Sequence, residues 1–138
     1  SRKEGRYACP PDRFESHLRF LADHHPVISL AEACEHLLGD RKIAEGSVVI
    51  TFDDGFEDNY TNAFPILEKY RVPATIFLAT GTMEGTNRWM QTSDYPSRKM
   101  LTWDQAWEMA ENGITFGSHT VTHPSLPTLT EPQLRQEL

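Results

Sequence analysis

A chain of 138 residues has room for one domain around one core. Its 38% hydrophobic and 24% charged residues are ordinary for a globular protein, and no run approaches the about 18–20 apolar residues of a membrane span. The formal charge of −7, with no lysine after Lys99, argues against non-specific binding to nucleic acid or anionic membrane, since both rest on basic patches.

The opening "SRKEGRYACPP" has no apolar core of the kind a signal peptide needs, so none is visible and the compartment stays open. Cys9 and Cys34 lack CxxC spacing and read as two separate thiols. Phe14, Leu18, Leu21 and Ala22 recur at helical spacing after Pro10-Pro11, which predicts an amphipathic helix over 11–24. A short apolar piece, Val27-Ile28, follows. Ser29 and Glu32 then set a capping box, and Gly39 a stop, for a second helix. Residues 47–53 predict a strand. "YTNAFPILEKY", 60–70, suits a helix with Ala63, Leu67 and Tyr70 on one side, and Pro65 is placed to cut or kink it.

"PATIFLAT", 73–80, is a second continuous apolar strand. Residues 81–101 mix Gly, Ser, Pro, Asn and charges without period, a long excursion of the sort that borders functional sites. Thr102 and Gln105 form another capping box for a helix over 103–112, closed by Gly113. "ITFGSH", 114–119, is the third strand, and Thr130 with Gln133 opens a last helix that runs to Leu138.

Strand and helix alternate, and the strands are apolar on both faces, which is the pattern of parallel βαβ units in an α/β fold. Ligands of such sheets collect at the carboxyl ends of strands. Asp53 and Asp54 stand at one such end, His119 and His123 at another. Taken singly each motif is weak: Asp-Gly after a strand is a common turn, and His-x-x-x-His needs a single turn to bring its rings together. His17, His24, His25 and His36 are read as lying in amphipathic helices, at the surface. Jointly, two motifs at one rim point to a metal site. Two imidazoles and one carboxylate give a divalent ion three ligands and leave positions open, and a second carboxylate can serve as general base. For adjacent aspartates to share these tasks the chain must turn, and Gly55 provides the turn.

"TFDDG" followed by "SHTVTHP" resembles the polysaccharide deacetylases, the NodB-like domains of carbohydrate esterase family 4. "FPILEKYRVPATIFLATG" and "WDQAWEMAENGITFGSHTVTHPSLPTLT" are similar to the family's flanking segments, so the resemblance covers roughly 12–138. It implies a distorted (β/α) barrel with parallel strands, and hydrolysis of acetyl groups from N- or O-acetylated sugars or polysaccharides. It implies Asp53 as the catalytic base, Asp54, His119 and His123 as metal ligands, and Thr120 as a hydrogen-bonding brace of the metal loop. The ion expected is zinc, with cobalt, nickel or manganese as alternatives.

The family's later motifs (an Arg-Pro-Tyr groove wall, an Asp-rich segment with a tryptophan, and a Leu-x-His) have no counterpart after His123, and Arg71-Val72-Pro73 precedes the second strand. The expectation is therefore one deacetylase-like domain over 1–138, truncated at its C-terminus and weakly active or inactive alone. Its substrate would be an acetylated carbohydrate, and its open sheet edge would be able to self-associate. Two alternatives stand beside it: a non-catalytic metal- or carbohydrate-binding module of the same fold, and, ranked lower, a receiver-type phosphorylation domain.

Overall fold

The elements run, in chain order, α1 (Pro11–His24), α2 (Leu30–Leu38), β1 (Thr51–Phe52), α3 (Phe64–Tyr70), β2 (Ala74–Leu78), α4 (Trp103–Glu111), β3 (Ile114–Ser118) and α5 (Glu131–Glu137). They come from a computed structural model that describes residues 8–39, 41–90 and 96–138. Residues 1–7 of the opening and 91–95 of the excursion lie outside the described residues. The three strands form one parallel sheet in the order β1-β2-β3, with Phe52 beside Ile76 and Leu78 beside Ser118. Parallel neighbours need a crossover. Here α3 carries the chain from β1 to β2, and α4 carries it from β2 to β3.

Local chemistry sets the helix ends. Pro11 opens α1 where its missing N–H costs nothing. Ser29 Oγ accepts from the Glu32 N–H at 3.1 Å, which makes half of the expected box; the Glu32 carboxylate lies 3.9 Å from His36 Nε2. At α4 both halves form: the Gln105 N–H donates to Thr102 Oγ1 at 3.1 Å, and the Thr102 N–H donates to Gln105 Oε1 at 2.9 Å.

Two elements differ from expectation. Of residues 47–53 only Thr51–Phe52 joins the ladder with β2. Val48 pairs instead with Val27, through the Val48 N–H to Pro26 O and the Ile28 N–H to Val48 O, so the short apolar piece 27–28 takes the outer side of this segment. The helix over 60–70 is two helices: a π-helical turn, Asn59–Ala63, precedes α3. Proline at position 65 has no N–H to give and crowds the carbonyl four residues back. The wider turn accommodates it by pairing the Phe64 N–H with Asn59 O, and leaves Pro65 in the first turn of α3.

Ile76, Leu101 and Met109 are fully buried, and Leu18 and Leu67 nearly so, which places α1, α3 and α4 around the central strand. Coverage of both faces holds for β2. The flanking strands expose Thr51, Thr115 and Ser118, and β3 pairs on one side only among the described residues. The fold is a part of a distorted (β/α) barrel, open at this edge.

The excursion is ordered by backbone pairing rather than by periodic packing. Glu84 N–H donates to Leu101 O, Met100 N–H to Gly85 O and Asn87 N–H to Arg98 O, folding its two arms together. Asn87, 1% exposed, accepts the Arg98 N–H through Oδ1. Leu101 N–H donates to Gly55 O and Glu57 N–H to Lys99 O, which pins these arms beside the end of β1.

Candidate metal centre

At the carboxyl end of β1 the Gly55 N–H donates to Asp53 O at 2.9 Å, closing a three-residue turn around Asp54, whose φ is 73°. A γ-turn with positive φ is rare and strained. It swings consecutive carboxylates out of the strand's alternation. Gly55 itself has φ 81°, a region that favours glycine, and a Cβ there would lie 2.6 Å from Leu78 Cδ2, so a larger residue would strain the turn and push the Leu78 side chain aside.

Beyond β3 the His119 N–H donates to Leu78 O at 2.8 Å, extending the ladder by one residue. The loop then bends through Thr120 (φ 68°) and His123 (φ 60°). Thr120 Oγ1 accepts from the His123 N–H at 3.0 Å, in keeping with the brace implied by the resemblance. Thr80 and Gly81 N–H groups donate to Thr120 O and Val121 O and tie the loop to the end of β2. From the other side Glu137 of α5 accepts the Val121 and Thr122 N–H groups, at 3.0 and 2.8 Å, and the Thr122 hydroxyl at 2.6 Å.

These turns bring three of the four expected residues to one point. Asp54 Oδ1 lies 3.5 Å from His119 Nε2 and 3.2 Å from His123 Nε2, and the three donor atoms all fall within 4.8 Å of one another. An ion about 2.1 Å from each of two tetrahedral ligands separates them by about 3.4 Å, a spacing that both Asp54–imidazole distances match. Burial pushes the Asp54 carboxyl above its ordinary range; His123 and His119 oppose the shift and Asp53 adds to it. A cation would offset that cost. Asp53 is exposed and lines the same cleft.

The cleft encloses about 640 Å³. Trp89 stacks on His123 with ring centroids 4.7 Å apart and planes 22° off parallel, and Phe56 lies 6.2 Å beyond it. The Arg98 guanidinium covers Phe56 and reaches Asp58 at 3.5 Å. Asn59, 8% exposed, borders the cleft, and its Oδ1 finds no hydrogen-bond partner among the described residues. In the sequence the excursion stands out as a whole but no residue within it does, and neither Trp89 nor Glu137 is singled out. Neither carries a periodic or motif signal.

The remaining expectations are simpler. His17 and His24 are exposed, whereas His25 and His36 are half-buried, His25 through a 2.9 Å contact with Gly46 O. Cys9 and Cys34 are exposed free thiols.

A family model described as polysaccharide deacetylase matches residues 40–138, which holds both aspartates and both histidines. The chain belongs to the polysaccharide deacetylase family. Among similar members, YxkH of Bacillus subtilis (strain 168) is 37% identical over 130 residues, which is 94% of this chain and 42% of that protein. The poly-beta-1,6-N-acetyl-D-glucosamine N-deacetylase of Staphylococcus aureus is 34% identical over 115 residues, 83% of this chain and 37% of that one. The deacetylase PplD of Streptococcus pyogenes, solved in complex with acetate, superimposes with a TM-score of 0.78 at 32% identity, over 99% of this chain and 58% of that chain. The chain thus spans less than half the length of these two sequence relatives.

Proposed function

We propose that Asp54, His119 and His123 hold a divalent ion, zinc first among cobalt, nickel and manganese, and that the site hydrolyses acetyl groups from acetylated sugars. The observation that carries this is the meeting of one carboxylate and two imidazole nitrogens, with Asp54 Oδ1 3.2 and 3.5 Å from its partners. When bound, the ion supplies a Lewis acid that polarises the acetyl carbonyl and acidifies water.

The chain's own groups do the rest. Asp54, half-buried between two imidazoles, contributes the negative charge that holds a cation there. Asp53 follows from the same turn but stands exposed at the cleft, where it would accept the proton of the attacking water as the carbon–oxygen bond forms and return it to the sugar nitrogen or oxygen as that atom's bond to the acetyl carbon breaks. Trp89, Phe56 and Arg98 give the wall an apolar face beside hydrogen-bond donors, the combination a sugar ring uses. N-acetylated glucosamine polymers are the substrate class we favour. Support comes from the relative named for poly-beta-1,6-N-acetyl-D-glucosamine N-deacetylation and from the acetate in PplD, since acetate is the acid such a reaction releases.

We also read residues 1–138 as one deacetylase-like domain, supported by the one sheet and one core found among the described residues. Coverage of 58% of PplD supports its being part of a larger barrel, and the side of β3 that has no partner among the described residues supports pairing with a further strand, from its own or another chain.

The test, made on the full-length protein that carries this domain, is acetate release from N-acetylglucosamine oligomers, with zinc or cobalt added and after chelation. Release that depends on the ion and disappears in Asp53→Asn is expected. Metal-loaded protein that releases none, or a chelated sample that is equally active, would remove the reading.

A further inference from the structure

Glu137 has no task in the reaction proposed above, yet it makes three hydrogen bonds to the loop that carries both histidines. Successive N–H groups of Val121 and Thr122, aimed at one point, form the kind of concave nest that binds an anion. These two residues sit between Thr120 and His123, both in the left-handed region, where side chains other than glycine are disfavoured. Something outside the loop must hold it.

We propose that Glu137 is a positioning residue for the metal loop: its carboxylate fixes Val121 and Thr122, and through them the spacing of His119 and His123. This inference rests on the metal reading above. Helix α5 opens with the Thr130 N–H donating to Gln133 Oε1 at 2.9 Å, and the Glu137 carboxyl is held below its ordinary range by the Thr122 hydroxyl and the two backbone N–H groups. An isosteric Gln keeps one oxygen for the two N–H groups but removes the negative charge on which they converge, and its NH2 can meet the Thr122 hydroxyl only by reversing that bond.

The experiment compares the wild type with Glu137→Gln, Glu137→Asp and Thr122→Val, and with Arg135→Ala as a control on the same helix. Cobalt affinity is measured by its visible bands, and hydrogen exchange of the Val121 and Thr122 amides is followed without metal. Partners of this kind commonly change metal affinity by about 10–100-fold. Glu137→Gln should weaken cobalt binding within that range and shift its bands. It should also release both amides to exchange while leaving the urea midpoint of the metal-free protein in place. Thr122→Val, which loses one bond of the three, should fall between it and the wild type, and Glu137→Asp should recover part of the loss. Arg135→Ala should bind as the wild type does.

Unchanged cobalt affinity in Glu137→Gln would overturn the inference, as would a loss of affinity that merely follows a fall in metal-free stability. A wild type that protects the two amides but binds no cobalt would instead remove the metal reading, and the role of Glu137 with it.

Discussion

Gly55 faces Leu78 at the end of β2: a Cβ on Gly55 would lie 2.6 Å from Leu78 Cδ2, at a φ of 81°. The turn that presents Asp53 and Asp54 is therefore built on the end of β2 rather than on β1 alone. Gly55→Ala combines backbone strain with a side-chain clash. It should destabilise the protein by about 1–3 kcal/mol in urea unfolding and weaken metal binding as well. Wild-type stability in that variant would mean the turn is held elsewhere.

The proposed reading gives the two aspartates separate tasks. On that reading His123→Ala should abolish stoichiometric zinc retention after dialysis, because two ligands would remain where three are needed. In the full-length protein Asp53→Asn should keep the ion and lose acetate release. The pair of measurements is zinc content and turnover; a zinc-free Asp53→Asn would move Asp53 into the ligand set.

Asp54 also sets a pH dependence. Burial raises its carboxyl pKa from the ordinary 3.8. A carboxyl raised in the folded state contributes stability that is present below the unfolded value and is lost as pH climbs through the folded one. The metal-free protein should lose that contribution as pH rises above 3.8 toward neutrality. Zinc, which selects the ionised carboxylate, should restore it. The increment in urea midpoint on adding zinc should then be largest near neutral pH and shrink as the solution is acidified. A constant increment across that range would contradict the assignment.

The core offers a control independent of metal. Leu67 is 1% exposed between α1 and the sheet, whereas Leu38 at the end of α2 is 88% exposed. Leu67→Ala should cost about 2–5 kcal/mol. Leu38→Ala should fall within about 0.5 kcal/mol of the wild type. Equal effects would mean that the packing around α3 is not as described.

Much of this was already legible in the residues. Capping pairs at Thr102/Gln105 and Thr130/Gln133 located α4 and α5, because caps are local hydrogen bonds among neighbours in the chain. Apolar runs located β2 and β3 for the same reason, and the paired motifs named Asp53, Asp54, His119 and His123. Tertiary contacts decided the rest. The segment before β1 divides its pairing between Val27 and β2, which no pattern within 47–53 encodes. Trp89 reached His123 through pairing between 84–87 and 98–101, and Glu137 reached Thr122 by folding back across a loop. Periodicity reports which side of an element is buried. It carries no information about which distant group lies across the gap, and that distance is what brings carboxylate and imidazoles together.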